Sequence, residues 1–504
     1  MKKSLVAVGV IVALGVIWTG GAWYTGKQVE SRIADMVAQA NQQLKQNAPE
    51  AGLEVSYQDY QRGVFSSQLK MVVKPIANAK DAWLAPGQSV VLDETISHGP
   101  FPLTAFNLSP ALASIHSQLV KNDTTQHLFE LAKEQSPFDI NTRVSYSGET
   151  ESALSLKPLD YAQGDDKVTF SGGEFQLSLD AQGNLTAING EAKGGQINAL
   201  NEYNQKVQFT FNNLKTTGST QPTSFEERIG DQDLNIEQIL VAVDDQPLAE
   251  LNGMHIAGKT QLSADGKKIN GQMDYSLNSL KLQKQDFGSG KLTIKVDDID
   301  GAALHEFSQQ YQSKAQALSK EIDITKRPDI YQQRAAEILL STLPILLKGE
   351  PTIHVSPLSW KNAKGESTFN LSMALKDPAK ATGKARTTQQ ILDRSMKSLD
   401  IKLAIPVPMA TELMTQAGLL EGASQDEAAA QATQQVQGLS AMGKMFHITT
   451  TENDVIGSSL HYADGKVTLN GRTMTVEEFT GMFGLPDVSE LQDEDVAPML
   501  SPAQ

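Results

Sequence analysis

Residues 254–277 read MHIAGKTQLSADGKKINGQMDYSL. Met254, Ile256, Thr260 and Leu262 alternate on one side of Asp265-Gly266, and Ile269, Met273, Tyr275 and Leu277 alternate on the other. A period of two sends successive side chains to opposite faces of a strand. Asp-Gly between two such runs predicts a hairpin closed by a tight primed turn. One apolar and one polar face describe antiparallel strands with one side in water.

The same alternation extends in both directions. Downstream lie Leu292, Ile294 and Val296, then Ile353 to Val355, Phe369 to Leu375 and Leu399 to Val407. A second Asp-Gly hairpin pairs Ile456, Ser458, Leu460 and Tyr462 with Val467 and Leu469 across Asp464-Gly465. Upstream are Val55 and Tyr57, Leu69 to Val73, Val144 and Tyr146, Leu154 and Leu156, Val168 and Phe170, Phe175 to Leu179, Val207 to Phe211, and Leu234 to Val243. Strands joined by short turns suggest a meander, and no strict repeat supports a solenoid or propeller.

Helical blocks interrupt the strands. Ser109-Pro110 reads as a cap followed by proline at the first helical position, with a helix through Leu112, Ile115 and Leu119 towards Leu128 to Ala132. A second block spans about Gly301 to Leu347 with a break at Pro328, and its apolar part, Ile338 to Leu347, is expected to lie buried against the sheet. Residues 409–445, rich in Ala, Gln and Met, are helix formers, and Thr475 to Glu478 is a capping box for a short helix ending at Gly484.

At the other end, Ser4 to Gly26 carries no charge between Lys3 and Lys27. As a helix these 23 residues reach roughly 35 Å, enough for a hydrocarbon core of about 30 Å. Leu5, Val8, Val12 and Val16 line the expected anchor; Trp18, Trp23 and Tyr24 form an aromatic belt, and Lys2 and Lys3 a cytoplasmic positive flank. The rival reading is a cleaved signal peptide, for which Gly20-Gly21-Ala22 offers small residues. The uninterrupted run exceeds a signal h-region, which favours the anchor. Beyond it, Val29, Ile33, Met36, Val37, Ala40 and Leu44 recur at helical spacing, a stalk whose stripe packs either on the body or on a second copy, stopped by Pro49 and Gly52.

The expected fold class is therefore α+β and β-dominated: a large curved antiparallel meander with helical insertions, preceded by one N-terminal transmembrane helix and a helical stalk. The organisation expected is an anchor over 1–26, a stalk over 27–48, a periplasmic β-rich lobe over 49–300 with a helical insertion near 108–135, a second α/β lobe over 301–485, and a disordered acidic tail over 486–504. The net charge of -16 becomes -18 without Lys2 and Lys3, which argues against nucleic acid or an anionic surface as a charge-driven partner. With no cysteine, a body of this length is held by its own core, and 40% apolar residues suffice for one.

The N-terminal signature, YQRGVFSS at 60–67, HGPFP at 98–102 and YADGKVTLNG at 462–471 together resemble the YdgA family, over essentially the whole chain. That resemblance implies an inner-membrane protein of the Gram-negative envelope with a periplasmic body. The family, which also contains YihF, is one of unknown function and brings no catalytic residues. Its motif positions here include Arg62, Gly63, Phe65, His98, Gly99 and Pro100.

Motifs that carry chemistry are incomplete. His305-Glu306 opens a zinc-protease pattern, but Gln309 stands where the second histidine is needed. Ser67 and Lys70 have the spacing of penicillin-recognising enzymes but lie in a strand-like run that sends them to opposite faces. Asp286-Phe287-Gly288 mimics a kinase motif without its companions and reads as a turn. His98 to Pro102 reads as a conformational corner anchored by Phe101. In the first motif Gly63 reads as a bulge or turn, Val64 and Phe65 enter the core, and Arg62 pairs with an acid.

No catalytic residue, cofactor or metal is expected. The function expected is that of a non-enzymatic, inner-membrane-anchored periplasmic protein that binds lipid or another hydrophobic ligand in a curved sheet. The alternative is an assembly role through self-association as a homodimer, and the remote alternative an envelope hydrolase using Ser67 or His98.

Overall fold

The computed structural model describes residues 2–48, 51–77, 82–102, 109–163, 166–201, 203–322, 327–383 and 387–483; the side chains of 2–18, 20, 46–47, 163, 166 and 320 lie outside that description. The chain forms two compact units, Met1–Thr220 and Gln221–Gln504. The expected β-dominated α+β class, with a large antiparallel sheet and helices, is what the structure has. The expected tail over 486–504 and the helix stop at Gly484 lie outside the described residues.

The first unit opens with α1 (Lys2–Asn47). There follow β1 (Leu53–Arg62), β2 (Ser66–Pro75), β3 (Val90–His98), β4 (Ala113–Leu119), the short α2 (Gln126–Leu131), β5 (Phe138–Val144) and β6 (Thr150–Leu156). Then come β7 (Leu159–Gln163), β8 (Asp166–Phe170), β9 (Gly173–Leu179), β10 (Leu185–Leu200) and β11 (Lys206–Pro222). The strands β1 to β6 form an antiparallel meander. The long β10 is shared along one edge by β9 and β8, and pairs with β11 on the other.

From residue 27 to its end at Asn47, α1 lies along the body. Val29 and Ile33 are buried with Leu69, Ile96, Leu112, Ala113 and Val144 in one apolar cluster. Asn41 exchanges two hydrogen bonds with the backbone of Val55, at 2.8 and 2.7 Å, and Gln43 Nε2 donates to Gln182 O at 3.0 Å. Between the two partners open to it, the helical stripe takes the body.

The helix expected from Ser109 through Leu119 is strand β4, and only α2 is helical in that insertion. Leu112, Ile115 and Leu119 fit a helical period, while Ala113, Ile115, Ser117 and Leu119 fit a strand period equally well. The partners decide it: β3 and β5 each pair with this segment along its length.

The second unit begins with β12 (Arg228–Val243), β13 (Gln246–Leu262), β14 (Lys268–Leu282) and β15 (Gln285–Asp300). The helices α3 (Gly301–Glu321) and α4 (Pro328–Thr342) follow, with a 3-10 turn over Leu343–Gly349. Then come β16 (Thr352–Asn362), β17 (Gly365–Leu375), α5 (Thr388–Ser395) and β18 (Met396–Pro406), before the helix pair α6 (Val407–Leu420) and α7 (Gln425–Met445). The unit closes with β19 (Thr450–Glu452), β20 (Val455–Ala463), β21 (Lys466–Leu469), β22 (Arg472–Thr475) and α8 (Val476–Gly481). β12 to β18 pair consecutively, and β18 continues to β20.

Local chemistry explains several boundaries. Asp300 caps α3 by accepting from Ala303 N, Pro328 opens α4, and Ser424 and Thr475 form capping boxes with Glu427 and Glu478. The β13–β14 hairpin has the expected register, with Met254 opposite Leu277 and Leu262 opposite Ile269. Its loop is longer than a primed two-residue turn, because the Asp265 carboxylate accepts from Ser263 Oγ at 2.6 Å and from Lys267 N at 3.1 Å. Of the two Asp-Gly turns, the tight primed one is Asp464-Gly465, where both residues have positive φ, 50° and 71°, and Ala463 pairs with Lys466.

Ile338 to Leu347 departs from expectation in burial. Leu339, Leu340 and Leu343 are 40%, 66% and 38% exposed, so this apolar segment faces outward at those positions.

Candidate functional site

In the first unit, the motif 60–67 and the motif at 98–100 meet under α1. β1 supplies Tyr60 and Arg62, the turn after it Gly63 to Phe65, β2 Ser67, and the end of β3 His98. The Nδ1–H of His98 donates to Val64 O at 3.0 Å, because a carbonyl only accepts. That fixes the tautomer and leaves Nε2 to accept from the Ser67 hydroxyl at 2.8 Å. Ser67 Oγ in turn accepts from Tyr60 OH at 3.1 Å. Ser67 and His98 are 1% and 2% exposed, and burial pushes the imidazole pKa below its ordinary value, so the ring is held neutral.

α1 is seated on this network through small residues. A Cβ on Gly26 would stand 2.5 Å from the His98 ring, and one on Gly21 2.8 Å from Pro100. Thr25 Oγ1 donates to Gly99 O at 2.8 Å, and Ala22 is fully buried. Gly99 itself has no room for a side chain, since a Cβ would overlap Ala111 O at 2.0 Å. Gly63 N donates to Ser66 O at 2.7 Å and closes the turn. Arg62 pairs with Glu30 of α1 at 2.7 Å, as an ion pair was expected, and lies over the Trp23 ring 5.4 Å from its centroid, with Lys27 Nζ 6.0 Å from the same ring.

The motif residues Arg62, Gly63, His98, Gly99 and Pro100 are thus brought together. Tyr60 and Ser67 of the same motif join them, and Gly21, Thr25, Gly26 and Glu30 of α1, which the motifs do not include, complete the seat. The spacing of Gly21, Ala22, Thr25 and Gly26 is the signal that close helix packing leaves in a sequence. Two apolar expectations are corrected: Val64 and Phe65 are 44% and 47% exposed and do not enter the core, and Phe101, expected to anchor the corner, is 40% exposed. Of the anchor residues, Trp23 and Tyr24 are exposed on α1, whereas the side chains of Leu5, Val8, Val12, Val16 and Trp18 lie outside the described ones. Among the described residues, no helix is long and apolar enough to cross a membrane.

A serine hydrogen-bonded to a neutral histidine has the local geometry of an activated nucleophile. Here Ser67 Oγ is closed off beneath α1, and a backbone carbonyl orients the ring. The arrangement holds a helix.

The second unit carries a different feature. Cross-strand register aligns Leu234, Ile256, Tyr275, Leu292, Leu358, Phe369 and Leu403 in one row over β12 to β18. The next row is Met273, Ile294, Val355, Leu371, Ile401 and Leu460. None of these side chains is buried, although most are in central strands, and Tyr275 and Leu358 are 37% and 44% exposed. The first unit has a smaller counterpart in Val168, Ile197 and Phe209, of which Ile197 is 51% exposed.

Comparison with known proteins places the chain. Residues 1–477 match the family described as "Bacterial protein of unknown function (DUF945)". The chain belongs to the DUF945 family. It is 57% identical to Escherichia coli "Protein YdgA" over 96% of this chain and 97% of that one, in agreement with the resemblance carried by its motifs. It is also 32% identical to E. coli "Uncharacterized protein YihF", over 96% of this chain and 99% of the relative. A Haemophilus influenzae "Uncharacterized protein" is 25% identical over 61% of this chain and 85% of its own length. No solved structure matches.

The remaining motifs of this DUF945 chain have structural partners. His305 lies between Glu227 Oε1 at 3.3 Å and Gln309 Nε2 at 2.7 Å, and no group of metal-ligating side chains occurs among the described residues. Lys70 pairs with Asp59 at 3.4 Å, away from Ser67. Asp286 to Gly288 lies in β15 at a register shift rather than in a turn; the Asp286 carboxylate accepts from Gly288 N at 2.8 Å, and Phe287 O accepts from Trp360 Nε1 at 2.6 Å.

Proposed function

We propose that this protein is an inner-membrane-anchored periplasmic protein, not an enzyme, that holds a lipid or another hydrophobic ligand along a curved sheet. The observation that carries the reading is the pair of apolar rows over β12 to β20, in which no side chain reaches burial. Antiparallel sheets bury their apolar face on something, and a contiguous exposed apolar surface marks a binding site. Strands lie about 4.8 Å apart, so the longer row spans roughly 29 Å, about twice the ~15 Å that one leaflet's acyl chain covers. Each methylene removed from water there contributes about 0.8 kcal/mol.

The experiment is native mass spectrometry and lipid extraction on the full chain in mild detergent, beside Tyr275→Lys and Leu358→Lys. Both sites are exposed enough to accept lysine without unfolding the sheet. An acyl lipid retained by the parent chain and depleted in both variants is expected; a parent chain carrying no apolar ligand refutes the reading.

A second reading, assembly through self-association, is favoured by Leu439, Met442, Met445 and Phe446, which are 60%, 55%, 66% and 49% exposed near the end of α7. Light scattering that reports a concentration-independent monomer removes it. Resistance of the full chain to alkaline extraction from membranes tests the anchor.

A further inference from the structure

We infer that the end of the first unit around Trp23, Val64, Phe65 and Phe101 is a lipid-contacting surface, seated in the interfacial layer of the bilayer that α1 enters. The inference rests on the anchor reading proposed above and adds what that reading leaves open, namely how the body stands against the membrane. A stalk would hold the body away from the lipid. The contacts of α1 place it directly at the surface.

The argument begins with lengths. A hydrocarbon core of about 30 Å takes roughly 20 helical residues. Counted from Ser4, the first residue past the Lys2-Lys3 flank, that span ends at about Trp23. Gly21, Ala22, Thr25 and Gly26 are already packed on the body there, Gly21 against Pro100, Thr25 on Gly99 O and Gly26 against His98. The body loops that reach these residues therefore stand at the same depth as the end of the span.

The side chains at that depth have the chemistry of an interface. Phe101 follows Pro100, and His98 ties the hairpin tip to the same place by donating from N to Phe65 O at 2.8 Å and from Nδ1 to Val64 O. Val64, Phe65, Phe101, Trp23 and Tyr24 are 40 to 58% exposed, an unusual density of apolar and aromatic groups in water but the expected one at headgroup level. Arg62, paired with Glu30, and Lys27 both lie over the Trp23 ring, so Lys27 is the cation held beside the patch where lipid phosphates pass.

The chain has no cysteine, so single-cysteine labelling of the full chain is clean. Phe65→Cys, Phe101→Cys, Val12→Cys and Gln182→Cys, each carrying an environment-sensitive fluorophore, would be reconstituted in phosphatidylethanolamine–phosphatidylglycerol vesicles. Nitroxide lipids labelled near the glycerol or in mid-chain serve as quenchers. Gln43 lies twenty residues along α1 from Trp23, which puts Gln182, bonded to it, roughly 30 Å further out.

The expected result is that the glycerol-end nitroxide quenches the labels at 65 and 101 several-fold more than the label at 182, while the mid-chain nitroxide quenches the label at 12. If the label at 12 is quenched and those at 65 and 101 match 182, the anchor stands and the lipid-contacting surface is refuted. If the label at 12 is not quenched either, the anchor reading fails and this inference falls with it.

Discussion

His98 shows how one residue ties the turn at 98–102 to the docking of a helix. Its Nε2 accepts from Ser67, its Nδ1–H is spent on Val64 O, and its ring faces Gly26 with no room between. Ser67→Ala leaves Nε2 buried and unpartnered, which costs about 1–3 kcal/mol and is read as a lower urea midpoint for the full chain in detergent. The same ring sets a pH dependence. Burial depresses its pKa below the ordinary 6.5, so its contribution is present in full above that value and is lost as pH falls through the depressed one. The urea midpoint of the full chain should therefore fall as pH is lowered below 6.5, and His98→Gln should remove the ring's part of that fall. Gly26→Val drives a side chain into the ring and costs about 1–3 kcal/mol by overpacking, read in the same denaturation experiment.

Beyond Thr25 the two faces of α1 differ in burial. Val29 and Ile33 are buried in the cluster with Leu69, Ile96 and Val144, whereas Met36, part of the same apolar pattern in the sequence, is 46% exposed. Ile33→Ala is expected to cost about 2–5 kcal/mol by leaving a cavity. Met36→Ala should stay within about 0.5 kcal/mol, as surface substitutions do. Equal effects in urea denaturation would mean that the helix does not rest on the body as described. The same reasoning covers the elements whose reading changed. β4 satisfies both a helical and a strand period, and its neighbours β3 and β5 select the outcome.

Across the whole molecule, charge and apolar surface point to different kinds of partner. A net charge of -16 gives no electrostatic attraction for polyanions, while the rows on the second unit's sheet expose apolar carbon along central strands. The proposed ligand retention by the full chain should accordingly persist, or strengthen, when ionic strength is raised to 1 M, where screening reaches about 3 Å. Loss of ligand in high salt, measured by lipid extraction, would assign the binding to charge instead.

Strands, hairpin registers and capped helix starts were legible in residues such as Met254 to Leu277, Asp464-Gly465 and Thr475 to Glu478, because period and turn chemistry act between near neighbours. The pairing of Arg62 with an acid and the family followed from motifs in the same way. Burial did not follow. That Val64, Phe65, Phe101 and Leu340 face outward, that Ser109 to Leu119 contains a strand, and that Ser67 and His98, thirty-one residues apart, share one proton network under α1 depended on what folds back against each segment. A side chain's period is set by its own backbone, whereas its exposure and partners are set by surfaces contributed from elsewhere in the chain, and only the tertiary structure brings those together.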